Sequence, residues 1–282
     1  DRSNGSVQVS LLTGTSSGAD GNDTLRNIEN LRGGDFADTL EGDNAGNDIE
    51  GRGGDDVLRG LGGRDLLKGE AGNDRLEGGD SQDTLRGGAG DDVLDGGAHQ
   101  TLFEHDYADY TDATGGVTVD LVAGVGTGAG VGRDTLIGIE AVLGSQHGDT
   151  LLGSADHNLF NPGAGDDRMV GGDGYAIVGY WDASGPVQID VRTGRVTGAS
   201  GNDTLDGFEG ALGTAHADVI TGDAGNNFIR GYAGDDSLDG GDGFDRAAYD
   251  FGSGSVNVSL RTNTATGSEG NDTLANFETA FY

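Results

Sequence analysis

Oxygen donors recur every nine residues in the first part of the chain: Asp38, Asn47, Asp56, Asp65, Asp74, Asp83 and Asp92. Each closes a turn that is mostly glycine, as in GRGGDDVLR and GGAGDDVLD. Glycine lets backbone carbonyls converge without side-chain clash, and the aspartate adds a carboxylate oxygen. That donor set suits calcium, a hard cation that takes six to eight oxygens. One turn offers too few, so a second turn on the same side, eighteen residues away, must complete the shell. The pairs this predicts are Asp38 with Asp56, Asp56 with Asp74, and Asp74 with Asp92 on one face. Asn47 with Asp65, and Asp65 with Asp83, follow on the other. Without a cation the stacked carboxylates repel one another; with calcium the repulsion becomes ligation, and binding energy becomes folding energy.

The elements that position these donors are short strands. Two residues after each donor stands an aliphatic side chain: Leu40, Ile49, Leu58, Leu67, Leu76, Leu85 and Leu94. In VLR or DIE the middle residue points inward and its neighbours outward, by the period-two rule of strands. Six turn residues and three strand residues make the nonapeptide G-G-x-G-x-D-x-U-x. Two nonapeptides make one coil. The expected fold is all-β: a calcium-bound parallel β-roll, a two-sheet right-handed solenoid in consecutive blocks. No segment carries the apolar spacing of a helix.

A longer repeat organises the blocks. Alternating strands start at Val7, Val117, Val187 and Val256, and each precedes a D-T-L at Asp23, Asp134, Asp203 or Asp272. Six residues after each aspartate comes Glu29, Glu140, Glu209 or Glu278. Stepping by nine from Glu140 gives Asp149, Asn158, Asp167 and then Ala176, and from Glu209 gives Asp218, Asn227, Asp236 and Asp245. Further pairs are thus Asp149 with Asp167, Asp218 with Asp236, and Asn227 with Asp245. Glu29, Glu140 and Glu209 each stand one coil before an Asn; either the two form a modified first site, or the Asn bonds to backbone with the Glu outward. The expected domains are 1–110 (flank and long block), 111–180, 181–250, and 251–282 as the start of a truncated fourth unit. Ala176 removes a ligand from the second block, whose second face should hold fewer ions. The metal complement expected is roughly seven to twelve calcium ions.

The seams at 96–116, 171–185 and 240–254 gather Phe103, Tyr107, Tyr110, Tyr175, Tyr180, Trp181, Phe244, Tyr249 and Phe251. A thin roll has little room for rings, so these are expected to cover the open end of one stack and join it to the next. The alternative is a row of exposed platforms for sugar rings or a cell-surface partner.

Composition narrows the function. The chain has 282 residues, 49 acidic and 16 basic, for a formal charge of -33. Such self-repulsion with little apolar content would suit disorder, but 58 glycines at fixed positions and only two prolines argue for built turns. The acidity excludes nucleic acid, which wants basic patches. There is no cysteine, so metal must take the stabilising role that disulfides fill in small-core secreted chains. No N-terminal signal peptide and no membrane-length apolar run is visible. The chain opens and stops in mid-pattern, as a fragment of something larger would. Catalysis needs convergent groups of unlike role; His99, His147 and His216 occupy the fourth place of a turn, no G-x-S-x-G elbow occurs, and the paired carboxylates would be neutralised by calcium. His105 and His157 lie near Glu104, Asp106 and Asp156, where a transition-metal site is conceivable. No enzyme activity is expected.

GRGGDDVLRG, GEAGNDRLEG, GGAGDDVLDG, NPGAGDDRMVGG and GYAGDDSLDGG resemble the repeats of the RTX (repeats-in-toxin, haemolysin-type calcium-binding) family. The D-T-L-x-x-I/F-E segments resemble the flanks between RTX blocks of large type I-secreted toxins of the adenylate-cyclase kind. The resemblance implies a secreted, extracellular or cell-surface bacterial protein, exported unfolded and folded outside by calcium. The module would then act as folding nucleus, stabiliser and spacer, monomeric as an isolated fragment, with neighbouring domains of its parent as partners. It also leaves two alternatives: a glycan- or surface-binding module of an RTX adhesin or polysaccharide-modifying enzyme, and a surface-layer assembly module.

Overall fold

The computed structural model describes residues 5–19, 21–98, 104–249 and 254–281. The described residues form strands and turns, with no helix. The chain divides into two compact units, Asp1–Leu143 and Gly144–Tyr282.

In the first unit, one parallel ladder runs Thr39–Glu41, Val57–Gly62, Arg75–Asp80, Val93–Ala98 and Gly132–Ile137. The other runs Asn30–Arg32, Asp48–Gly53, Leu66–Ala71, Thr84–Ala89, Tyr107–Asp109 and Ala141–Leu143. Register is eighteen residues: Leu40 lies beside Leu58, and Ile49 beside Leu67. Leu40, Ile49, Leu58, Leu67, Leu76, Leu85 and Leu94 are each 0% exposed, and such burial is worth roughly 1.5–3 kcal/mol per side chain. Inner strands reach six residues rather than three, because pairing continues into the next turn, as Arg52 with Glu70 and Gly53 with Ala71.

The second unit repeats the plan. Thr150–Leu152, Arg168–Val170 and Gly201–Asp206 form one ladder, and Val187–Asp190, Val219–Thr221, Ser237–Asp239 and Gly270–Ala275 another. Opposite them run Asn158–Asn161, Ala176–Gly179, Gly210–Leu212, Phe228–Arg230, Arg246–Ala248 and Thr279–Phe281. The ladders therefore pass through each seam.

Two features depart from the expectation. The alternating strands fold into antiparallel hairpins: Val117–Asp120 pairs with Val125–Gly128, which pairs with the D-T-L strand Gly132–Ile137. The same arrangement recurs at Val187–Asp190 and Val256–Ser259. The sheets are thus mixed, because a tight turn returns the chain before the next coil begins. Second, the roll does have room for rings at its seams. Tyr110, Tyr180 and Tyr249 are 2%, 0% and 4% exposed, and Phe160 packs edge-on to Phe208. The hairpin turns the chain away from the repeat there, and the rings fill the space. Tyr110, Tyr180 and Tyr249 are therefore not exposed platforms. Trp181 is half-buried and Phe244 exposed; Phe103 and Phe251 lie outside the described residues, as does His99.

Candidate metal centre

The aspartates are stitched from coil to coil. The Asp56 N–H donates to Asp74 Oδ1 at 2.8 Å, Asp65 to Asp83 at 2.8 Å, and Asp74 to Asp92 at 2.8 Å. Asp38 donates likewise to Asp56, and Asn47 to Asp65. In the second unit Asp149 donates to Asp167, Asp218 to Asp236 and Asn227 to Asp245. Each expected pair therefore meets through one carboxylate oxygen.

The other oxygen separates two kinds of turn. In the turns ending at Asp56, Asp65, Asp74, Asp83, Asp92, Asp167, Asp236 and Asp245, Oδ2 is buried and has no hydrogen-bond partner. Where glycine opens the turn, Oδ2 lies beside it, and an added Cβ on Gly51, Gly60, Gly69 or Gly231 would strike that oxygen; the Asp167 turn opens on Pro162 instead. On several rows the same Cβ would meet a carbonyl of the next coil, as Gly60 would meet Gly78 O at 2.6 Å and Gly69 would meet Gly87 O at 2.7 Å. Carboxylate and carbonyl oxygens thus converge on a space that only glycine leaves open. These turns also carry left-handed residues at their second and fourth places, including the non-glycines Arg52 (φ 83°), Leu61 (φ 80°), Glu70 (φ 77°), Ser81 (φ 82°) and Tyr232 (φ 70°). That backbone costs about 1–2 kcal/mol per non-glycine residue, and such strain persists where other interactions over-determine it.

The first two turns of each block are built differently. Asp38 Oδ2 accepts the Gly34 N–H at 2.7 Å, and Asn47 Oδ1 the Asp43 N–H at 2.9 Å. Asp149 accepts from Ser145, Asn158 from Ser154, Asp218 from Thr214 and Asn227 from Asp223. None of these turns has a left-handed residue. The side chain at their second place (Asp43, Ser145, Ser154, Thr214 or Asp223) accepts an N–H two residues on, the Asx/ST turn that these residue types favour. These turns close on themselves.

The glutamates differ among themselves. Glu29 is exposed, and its carbonyl accepts from the Asn47 amide at 2.9 Å. Glu140 and Glu209 reach back with their carboxylates, to the backbone N–H of Asp106 at 3.2 Å and of Ala176 at 2.8 Å. Glu278 does the same for Asp245. Two acids outside the nine-residue beat also join the ladder: Asp106 accepts from Asp83, and Asp134 from Asp92. The insertions of the first seam displace them from the count, although the recurrence of D-T-L did mark Asp134.

Without a counter-charge these carboxylates hold protons tightly. Burial pushes Asp56, Asp65 and Asp92 to about 6, Asp74 and Asp236 to about 7, and Asp83 and Asp167 to about 8. The backbone N–H from the neighbouring coil pulls each of them down, and nearby carboxylates, mostly on the next coil, push up again. Unpaired buried charge is expensive, and a divalent cation supplies the missing charge. No group of three or more His, Cys, Asp or Glu side chains converges among the described residues. The donor set is instead one carboxylate oxygen per turn with backbone carbonyls, all hard oxygens, which fits calcium rather than zinc or copper.

Comparison with known proteins agrees with this geometry. No curated protein matches the chain. Among solved structures, the extracellular lipase LipA from Serratia marcescens is 13% identical with a TM-score of 0.22, over 89% of this chain and 38% of that one; at that score the likeness carries no argument. The profile of the RTX calcium-binding nonapeptide repeat matches residues 32–67, 50–85, 68–98, 143–178, 194–211, 212–247 and 259–275. These segments cover more than half of the chain and contain the eight open turns described above. The chain belongs to the RTX calcium-binding nonapeptide repeat family, and its repeats form a calcium-binding structural module rather than a catalytic one.

Proposed function

We propose that calcium binds at the turns ending in Asp56, Asp65, Asp74, Asp83, Asp92, Asp167, Asp236 and Asp245, and that its binding folds the chain after export from the cell. The observation that carries this reading is the buried, unpartnered Oδ2 repeated on those turns. Inside the cell, low calcium leaves the carboxylates repelling one another and the chain extended. Outside, affinities of the order of 10⁻⁴–10⁻³ M, usual for extracellular modules, suffice to fill the turns, and coils add cooperatively as in other solenoids. The module then serves as folding nucleus, stabiliser and spacer for neighbouring domains of a larger secreted bacterial protein. The four blocks at 1–110, 111–180, 181–250 and 251–282 are successive units of that spacer. No described helix is long and apolar enough to cross a membrane.

The two kinds of turn give the test. Asp74→Ala removes an oxygen from a strained, open turn and is expected to lose at least one bound calcium and to raise the calcium concentration at half-folding. Asn47→Ala disturbs a turn that already closes on itself, and should keep the full ion count. Equilibrium dialysis with calcium, followed by metal analysis, reads both. Equal ion loss from the two variants would overturn the assignment.

A further inference from the structure

At the ends of the two blocks completed within Gly144–Tyr282, a tyrosine stands where the pattern would call for a cation. The Tyr180 hydroxyl donates to Asp203 Oδ2 at 2.8 Å, and the Tyr249 hydroxyl to Asp272 Oδ2 at 2.8 Å. Asp203 and Asp272 hold the ladder position: Oδ1 of each accepts the N–H of the aspartate one coil earlier, Asp167 or Asp236, at 3.0 Å. What differs is the second oxygen. It is unpartnered on Asp167 and Asp236 but bonded to a phenol on Asp203 and Asp272.

The carbonyl half of the site is also missing there. The glycines five residues before them, Gly198 and Gly267, belong to the hairpins, and a Cβ on either would meet Pro186 O or Ser255 O of the same hairpin rather than a carbonyl of the next coil. Each tyrosine is fixed at both ends. The N–H of Tyr180 donates to Leu212 O at 3.0 Å, and that of Tyr249 to Phe281 O at 2.8 Å. Tyr110 holds the same place in the first unit, where burial and the facing Asp134 carboxylate raise its proton affinity.

We propose that Tyr180 and Tyr249 are metal-free closures, in which a phenol proton replaces calcium on the last carboxylate of a block, so that the calcium ladder is divided into segments that end without an ion. This rests on the calcium reading above. A neutral donor satisfies the oxygen at any calcium concentration, so the junction keeps its polar contacts when the open turns are empty. A buried tyrosine needs some acceptor. Here both acceptors are the one carboxylate oxygen that the preceding coils leave for the ion.

The test uses the full 282-residue chain with calcium alone, counting bound ions by equilibrium dialysis. Asp203→Asn and Asp272→Asn are expected to bind as many ions as the unmodified chain, because the amide oxygen keeps the backbone N–H of Asp167 or Asp236 and its NH2 donates to the phenol oxygen, still with no ion. Asp236→Asn, one coil before Asp272, is expected to lose at least one. If Asp203→Asn loses ions as Asp236→Asn does, the closure is wrong while calcium binding stands. If neither the unmodified chain nor any variant binds calcium, the underlying reading falls first. Tyr180→Phe leaves a buried carboxylate without a donor, and is expected to raise the calcium needed for half-folding by about tenfold. Adding Asp203→Asn should recover most of that loss by removing the charge. An unshifted midpoint in Tyr180→Phe would also overturn the closure, and if that variant does not fold, the ion counts of the Asn variants decide alone.

Discussion

Removing calcium with excess chelator at pH 8 is expected to abolish nearly all the β-sheet circular dichroism of the chain, and millimolar calcium to restore it. The eight open turns each bury a carboxylate oxygen with no hydrogen-bond partner among the described residues, and at that pH the carboxylates that burial pushes to about 6 or 7 are largely ionised while Asp83 and Asp167, at about 8, are about half so. Each ion bound at a hundred times its Kd contributes about 2.7 kcal/mol to the folded state. A handful of such ions therefore matches the whole stability of an ordinary domain, about 5–15 kcal/mol. The aliphatic column cannot hold the coils alone, since it is one side chain wide and the formal charge is -33. Equal β content in chelator and in calcium would contradict this.

The second large effect is a reversal of pH dependence. In chelator, lowering the pH from 8 to about 5.5 is expected to recover folded structure. The sign follows from the raised affinities. Asp74 and Asp236 go from 3.8 to about 7, and Asp83 and Asp167 to about 8, chiefly through burial. The folded chain therefore binds more protons than the unfolded one. Stability from these groups is fully present below about pH 4, and is lost as the pH rises through the window from 6 to 8. In saturating calcium the slope inverts, because protons then compete with the ion for the same oxygens. Urea midpoints at pH 5.5 and 8, with and without calcium, measure both slopes. A calcium-free chain that is more stable at pH 8 than at pH 5.5 would show that the carboxylates are not buried as described.

Much of the architecture was legible in the residues themselves. The nine-residue recurrence of Leu40 through Leu94 named the core column, and the eighteen-residue step between aspartates named which turns stack. Both are direct consequences of a short strand with one inward side chain and of two strands per coil. Three features were not legible, each for a physical reason. The hairpins hid because their middle strands, such as VGTG at Val125–Gly128, are poor in β-favouring residues and form only through pairing with neighbours. Asp106 hid because insertions break the count that exposed the others, and Asp134 showed only through the recurrence of D-T-L. The tyrosines hid because Tyr180 and Asp203 are 23 residues apart, on no period of the repeat.

The distinction between open and self-closed turns did have a signal. Asp43, Ser145, Ser154, Thr214 and Asp223 stand where the open turns carry Arg52, Leu61, Glu70, Tyr232 or glycine, whereas the Asp38 turn closes with Gly34 at that place and carries no such mark. A short side chain that accepts the N–H two residues on goes with a turn free of left-handed residues, in which the following Asp or Asn bonds inward. Counting oxygens alone treats Asp38 and Asp56 as equals. Counting where each oxygen is already bonded does not.

The central claim is that divalent ions lie between successive coils at the open turns. Anomalous diffraction from a crystal grown in calcium tests it most directly. The expected map has peaks against Oδ2 of Asp56, Asp65, Asp74, Asp83, Asp92, Asp167, Asp236 and Asp245, and none at Asn47, Asn158 or Asn227. Open turns without a peak, in a crystal whose solution holds millimolar calcium, would contradict it.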